Sequence, residues 1–304
     1  MKQQHLLLVD GMALLFRSFY ATAVSKYFMV NTAGVPTNAV QGYIKHLLMA
    51  VEHVNPTHVA VCWDMGSVTF RNDLYPEYKA NRGAAPDEMI PQFDLAKEVT
   101  TAFHIPNIGT AGFEADDCIG TICEQYKDQM NISVLTGDRD LIQIVDDNVQ
   151  VLIMQKGMGN YKTYTRSLVW DEFNILPKQL IDVKALMGDS SDGYPGVKGI
   201  GEKTALKLIQ NFEHIEGLLE NISTITSSQR KKIEAELDVL HLCRELAKIK
   251  CDTPLVVNIS ECEWTEVSST AWTAIHEHEL KTIHTYLLKS SMYAKADEVF
   301  SIER

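Results

Sequence analysis

Leu6-Leu7-Leu8-Val9-Asp10 is an unbroken apolar run that stops on a carboxylate. Two more segments repeat the pattern, Val59-Ala60-Val61-Cys62-Trp63-Asp64 and Ile132-Ser133-Val134-Leu135-Thr136-Gly137-Asp138. Runs this short and this apolar read as strands buried on both faces. The stretches between them carry helical spacing, as in Tyr43, Leu47, Ala50, Val51 and Val54. Alternation of strand and helix predicts an α/β fold, a parallel-type sheet flanked by helices. Ligands of such sheets bind beyond the carboxyl ends of the strands, which is where Asp10, Asp64 and Asp138 fall. Any one of these acids taken singly would read as a turn-initiating aspartate.

Beyond about residue 175 strands become scarce, and residues 177–187, 202–212 and 228–249 read as helices. The expected division is an α/β core over residues 1–175 and a helical region over 176–304. Residues 223–228 are the best candidate for a flexible connection. Residues 83–91 form a turn-rich polar loop that leads into a helix with Pro91 near its first turn. No internal repeat or low-complexity segment is present.

The 304 residues are 45% hydrophobic, enough to bury a large core without disulfides. Six cysteines form no CxxC pair and no zinc-type spacing, which fits a reducing cytoplasm. The apolar run at residues 6–9 is too short for a signal peptide or a membrane span. A net charge of -12 by itself argues against a nucleic-acid partner, yet nine carboxylates grouped in one metal site would account for most of that excess.

The acids form a constellation. Phe113-Glu114-Ala115-Asp116-Asp117 precedes a helix with the stripe Ile119, Ile122, Cys123 and Tyr126. Asp116 lies three residues ahead of Ile119 and is expected to face inward, whereas Asp117 reads as ordinary first-turn charge. Thr136-Gly137-Asp138-Arg139-Asp140 adds a pair beyond a strand, and Gly188-Asp189-Ser190-Ser191-Asp192 adds another beyond a helix. Either pair alone is weak evidence. Together with Asp10, Asp64, Glu114, Asp116 and Asp117 they make nine acids at element ends, which would repel one another unless cations neutralised them. Oxygen-only ligands select Mg²⁺ or Mn²⁺. Two such ions roughly 3.5 to 4 Å apart serve in-line phosphoryl displacement.

Phe70-Arg71 and Tyr75-Pro76-Glu77-Tyr78-Lys79-Ala80-Asn81-Arg82 follow the second strand. On a helix Lys79 and Arg82 would point the same way, toward a scissile phosphate, while Tyr78 stacks on a base. A solvated basic face accounts for the spacing equally well. Gly196-Val197-Lys198-Gly199-Ile200-Gly201-Glu202-Lys203-Thr204 has the glycines of a Walker loop, but Glu202 stands where the lysine belongs and no apolar strand precedes it. It reads instead as a hairpin between helices, whose backbone approaches a phosphate or simply connects the two.

In this order these motifs resemble those of the bacterial 5′-nucleases, the flap endonuclease and 5′-3′ exonuclease family that includes the N-terminal domain of DNA polymerase I. The matching segments are Val9-Asp10-Gly11 with Arg17, Trp63-Asp64, residues 78–82, 114–117, 136–140, 188–192 and 196–205. The resemblance implies a PIN-like core followed by a helix-hairpin-helix motif. It implies that Asp10, Asp64, Glu114, Asp116 and Asp138 hold one metal ion, that Asp140, Asp189 and Asp192 serve a second, and that Asp117 supports them. Lys79 and Arg82 would contact the scissile phosphate, with residues 79–100 arching over the 5′ strand. Arg17, Arg71, Tyr78, Lys198, Gly199, Gly201, Lys203 and Thr204 would contact DNA, and the hairpin carbonyls would hold K⁺. The expected substrate is DNA with 5′ flaps, nicks or free 5′ ends, with RNA as a secondary substrate and with 5′-phosphate and 3′-hydroxyl products. With no polymerase domain before Arg304, a free-standing nuclease is expected, and the chain is expected to act as a monomer. Gly193-Tyr194 departs from the Asn-Ile usual in the family. A non-catalytic junction-binding relative would be expected to have lost acids, and none is missing. A metal-dependent ribonuclease of similar edge would have fewer acids and no glycine hairpin.

Overall fold

The computed structural model describes residues 4–23 and 28–290. Strands β1 (His5–Asp10), β2 (His58–Cys62), β3 (Asn107–Ile108), β4 (Asn131–Thr136), β5 (Val149–Met154) and β6 (Tyr161–Tyr164) form one sheet in the order β3-β2-β1-β4-β5-β6. The first five run parallel, and β6 returns antiparallel to β5. The pleat sorts β1 into two cores: Leu7 and Val9 join one, Leu6 and Leu8 the other. Burial on both faces is what demanded the unbroken apolar run.

One face is covered by α1 (Gly11–Ala23), α2 (Asn38–Val54) and, after the short α3 (Phe70–Leu74), by α4 (Ile90–Ala102). The other carries α5 (Ala115–Tyr126) and α6 (Arg166–Phe173). A third core joins α7 (Leu180–Met187), α8 (Glu202–Phe212), α9 (Ile215–Glu220), α10 (Ser227–Ala235) and α11 (Leu237–Ala247). Residues 225–226 are an ordered entry to α10, where Thr226 accepts from Gln229 N in a capping box. Among the described residues no helix is long and apolar enough to cross a membrane.

Two expectations need correction. Residues 90–102 are not part of an arch: Gln92, Leu95, Ala96, Val99 and Thr100 are buried, and α4 packs on α2. Lys79 and Arg82 are not on a helix either, because residues 76–81 form turns and Lys79 has a left-handed φ of 56°. Helices α12 (Ser269–Glu277) and α13 (Lys281–Lys289) return to pack on α4 and α2. There Trp272, Ile275, Ile283 and Leu287 enter the first core. Residues 1–3, 24–27 and 291–304 of the expected division lie outside the described residues.

Candidate active site

Asp10 ends β1 in the interior, 5% exposed. Its Oδ1 accepts from Ala13 N at 2.9 Å, tying it to the start of α1. Its Oδ2 accepts from Thr136 Oγ1 at 2.8 Å, and the same hydroxyl accepts from Asp138 N at 2.9 Å. The ends of β1 and β4 are thereby joined. Asp64, just past β2, accepts from Ala115 N at 2.7 Å and is joined to the first turn of α5, which carries Asp116 and is capped by Glu114. Burial, countered by these hydrogen bonds and reinforced by the charges of Asp64 and Asp138, pushes Asp10 up to about 7. Burial and the charges of Asp10, Asp138 and Glu114 push Asp116 well above the carboxylate range. Four separate chain segments therefore deliver acids to one edge of the sheet.

A second acidic group adjoins the first. Asp140 N donates to Asp138 Oδ1 at 2.8 Å. Lys184 on α7 pairs with Asp140 at 2.7 Å and also with Asp189. Burial and Asp138 push Asp140 up to about 6 against the pull of Lys184. Burial would also raise Asp189, but hydrogen bonds from Lys184 and Ser191 override it and hold the acid at about 2. Lys184 escaped the sequence reading because a single lysine inside a helix carries no pattern of its own. The loop that bears these acids is drawn tight by glycine. Gly193 has a φ of 81°, and a Cβ there would meet Glu77 O at 3.2 Å. Only glycine suits both the backbone and the close approach of the turn at residues 77–79. Lys79 N donates to Asp192 O at 2.7 Å across that approach.

Through this turn the basic residues reach the acids. Lys79 Nζ lies 2.8 Å from Glu114 Oε1, and Arg82 Nη2 lies 2.6 Å from Asp192 Oδ1. Burial would lower Lys79, but Glu114 and Asp192 raise it above the ordinary lysine value, so it stays charged. Tyr78, expected to stack on a base, is only 4% exposed. Its hydroxyl instead donates toward Asp192 at 3.1 Å and Glu114 at 3.3 Å, so it is a strut between the two acidic groups.

Arg71 and Asp117 also differ from expectation. Arg71 is 2% exposed and Asp117 fully buried. Arg71 Nη1 and Nη2 donate to the two oxygens of Asp117 at 2.7 and 2.8 Å, while Nε and Nη2 donate to the carbonyls of Leu246 and Lys248. Asp117 further accepts from Glu114 N and Lys250 N. With its oxygens taken by these donors, Asp117 is an internal anchor and not a metal ligand, and Arg71 is unavailable to DNA. The stripe argument reversed the pair: it is Asp117 that faces the interior of the protein, and Asp116 that faces the other acids.

In the hairpin Val197 and Ile200 are buried anchors, whereas Lys198, Gly199, Gly201 and Lys203 are exposed and Thr204 is half-buried. Gly201 caps α8, and Lys232 Nζ donates to Gly199 O at 3.0 Å. Arg17 is half-buried and donates to the carbonyls of Gln155 and Gly157, which makes it a brace of the β5–β6 turn.

Among the described residues no three His, Cys, Asp or Glu side chains stand close enough together to hold a metal ion as they are. The chemistry of the donors nevertheless fits a hard divalent cation, because the set is oxygen-only and its mutual repulsion would be relieved by positive charge.

Two family models match the chain. The one described as 5′-3′ exonuclease, N-terminal resolvase-like domain, covers residues 5–174, and the one described as 5′-3′ exonuclease, C-terminal SAM fold, covers residues 175–270. The chain is 54% identical to the 5′-3′ exonuclease of Bacillus subtilis (strain 168), over 95% of this chain and 98% of that one. It is 39% identical to DNA polymerase I of the same organism, over 86% of this chain but 30% of that protein. Among solved structures, the bacteriophage T5 5′-exonuclease with bound zinc superimposes with a TM-score of 0.69 at 21% identity, over 81% of this chain and 90% of that one. The T5 flap endonuclease in complex with DNA and metal ions gives 0.67 at 21% identity, over 94% of this chain and 98% of that one. These two likenesses show a shared fold.

Proposed function

Because the chain belongs to the 5′-3′ exonuclease family, we propose that it hydrolyses DNA phosphodiester bonds at free 5′ ends, nicks and 5′ flaps with the help of two Mg²⁺ ions. The observation that carries this reading is the meeting of Asp10, Asp64, Asp116 and Asp138 from four chain segments at one sheet edge. Asp10, Asp64, Glu114, Asp116 and Asp138 would hold one ion, and Asp140, Asp189 and Asp192 the other. Bound there, hard divalent cations lower the pKa of a water and offset charge building on the phosphate. Lys79 pairs with Glu114 and keeps its charge, and it would contact the same phosphate. The half-exposed Arg82 adds a second positive group one turn away. Lys198, Lys203 and the amides at the start of α8 supply the grip on duplex DNA, with K⁺ at the hairpin carbonyls. RNA 5′ ends are a secondary substrate, and the working form is a monomer.

The test is cleavage of a labelled 5′-flap duplex. Mg²⁺ should give a product with a 5′ phosphate, and excess chelator should abolish it. Sustained cutting in chelator rejects the metal mechanism. For Lys79→Ala, kcat should fall about a hundredfold while Kd for the flap duplex changes less than about threefold, as expected of a group that acts on the transition state. Equal losses in both would make Lys79 a docking residue.

A further inference from the structure

Lys232 reaches the hairpin from outside it. It stands on α10, 33 residues beyond Gly199, and its Nζ donates to Gly199 O at 3.0 Å. The lysine stem lies along the same residue: a Cβ on Gly199 would meet Lys232 Nζ at 2.9 Å and Cε at 3.2 Å. Gly199 also has a φ of 80°, so backbone and neighbour both demand glycine there. The position of α10 is set by Ile233, its one buried residue, and by the capping box at Thr226.

Packing alone gives α10 little reason to lie against the hairpin. Ser227, Ser228, Arg230, Lys231 and Glu234 are exposed, and a helix that polar gains little by burial. Charge supplies the reason. Arg230 is paired with Glu234 at 3.3 Å. Among the described residues Lys198, Lys203, Lys231 and Lys232 have no acid within ion-pair distance, although the chain carries a net charge of -12. Lys232 spends one of its three N–H donors on Gly199 O, and a neutral carbonyl does not offset an ammonium charge. Lysines gathered without acids repel one another and are relieved by a polyanion. Duplex DNA carries one negative charge for about every 1.7 Å of its length.

We propose that Lys232 is a DNA-binding residue supplied by α10: its ammonium, held at the hairpin by the Gly199 carbonyl, contacts a backbone phosphate of the duplex that the hairpin grips. The bond to Gly199 O fixes where the charge stands, and the two remaining N–H groups serve the phosphate. The helix thereby adds to the hairpin a charge that its own glycine motif does not contain. This rests on the reading of the hairpin as the grip on duplex DNA made above.

The experiment is equilibrium binding of a labelled 5′-flap duplex to the full chain in chelator, over a series of salt concentrations. Lys232→Met keeps an apolar stem and removes the charge. Its Kd at about 0.1 M salt should rise about tenfold, and the slope of log Kd against log salt should fall by about one, the share of a single phosphate contact. Lys232→Arg should stay within about threefold of wild type and keep the slope. A Kd and a slope that Lys232→Met leaves unchanged overturn the proposal. So does a rise in Kd with an unchanged slope, because that would make Lys232 a brace of the hairpin and not a DNA contact. Lys198→Met separates the two levels. If it too leaves Kd and slope unchanged, the hairpin is not the grip on DNA; if it weakens binding and lowers the slope while Lys232→Met does not, only the role of Lys232 is rejected.

Discussion

Asp10→Asn should cut a 5′-flap duplex about a thousandfold more slowly than the wild type in Mg²⁺, and yet melt at a higher temperature in chelator at pH 8. Both effects have one cause. The asparagine keeps an acceptor for Ala13 N but brings no charge to a place where burial and neighbouring acids have already pushed Asp10 up to about 7. Several kcal/mol of metal-borne charge stabilisation is lost with the carboxylate, which corresponds to about three orders of magnitude in rate. In the metal-free protein the sign of the stability effect follows from the raised proton affinity. Folding lifts Asp10 from an ordinary 3.8, so its contribution is fully present below about pH 4 and fades as pH rises through 7. Wild type without cations should therefore lose stability across that window and regain it when a divalent cation binds. The variant should show a flatter pH profile, measurable by thermal melts from pH 4 to 8 with and without Mg²⁺. Cleavage within tenfold of wild type would remove Asp10 from the metal site.

Arg71→Met should lower the melting temperature by about 10 °C or more and make soluble protein scarce. Removing the guanidinium leaves Asp117 charged and buried, a change that costs about 3 to 5 kcal/mol in comparable settings. That is a large part of the 5 to 15 kcal/mol that holds a typical domain folded. The same guanidinium binds the carbonyls of Leu246 and Lys248, so the end of α11 loses its attachment to the nuclease core. The double variant Arg71→Met with Asp117→Leu should recover part of the loss, because neither charge is then stranded. Thermal denaturation of the two single variants and the double variant checks this. If Arg71→Met instead melted like wild type and bound DNA weakly, Arg71 would be a surface DNA contact after all, contrary to its burial.

Asp10 and Asp117 looked alike in the sequence, both acids at an element end, and differ in the folded chain. The position of Asp10, Asp64 and Asp138 at the carboxyl edge of the sheet could be read because each follows an apolar run, and a strand buried on both faces can be written in few other ways. The oxygen-only character of the site followed from residue types alone, and the hairpin from its glycines. Asp117 was read as surface charge because it falls in a first helical turn, where acids are common. Its true environment depends on Arg71, 46 residues earlier, and on the backbone at Lys250, 133 residues later.

The sequence by itself determined the parallel sheet with its acidic edge, because strand and helix periods are local and each is recorded within a few consecutive residues. Only the tertiary structure decided which charged groups are paired. It ties Asp117 to Arg71 and Asp140 and Asp189 to Lys184, and it puts α4, α12 and α13 in the core and Lys232 on the hairpin. Those outcomes depend on distances between residues far apart in the chain, and the energy of a buried charge is set by its nearest partner, which no periodicity encodes.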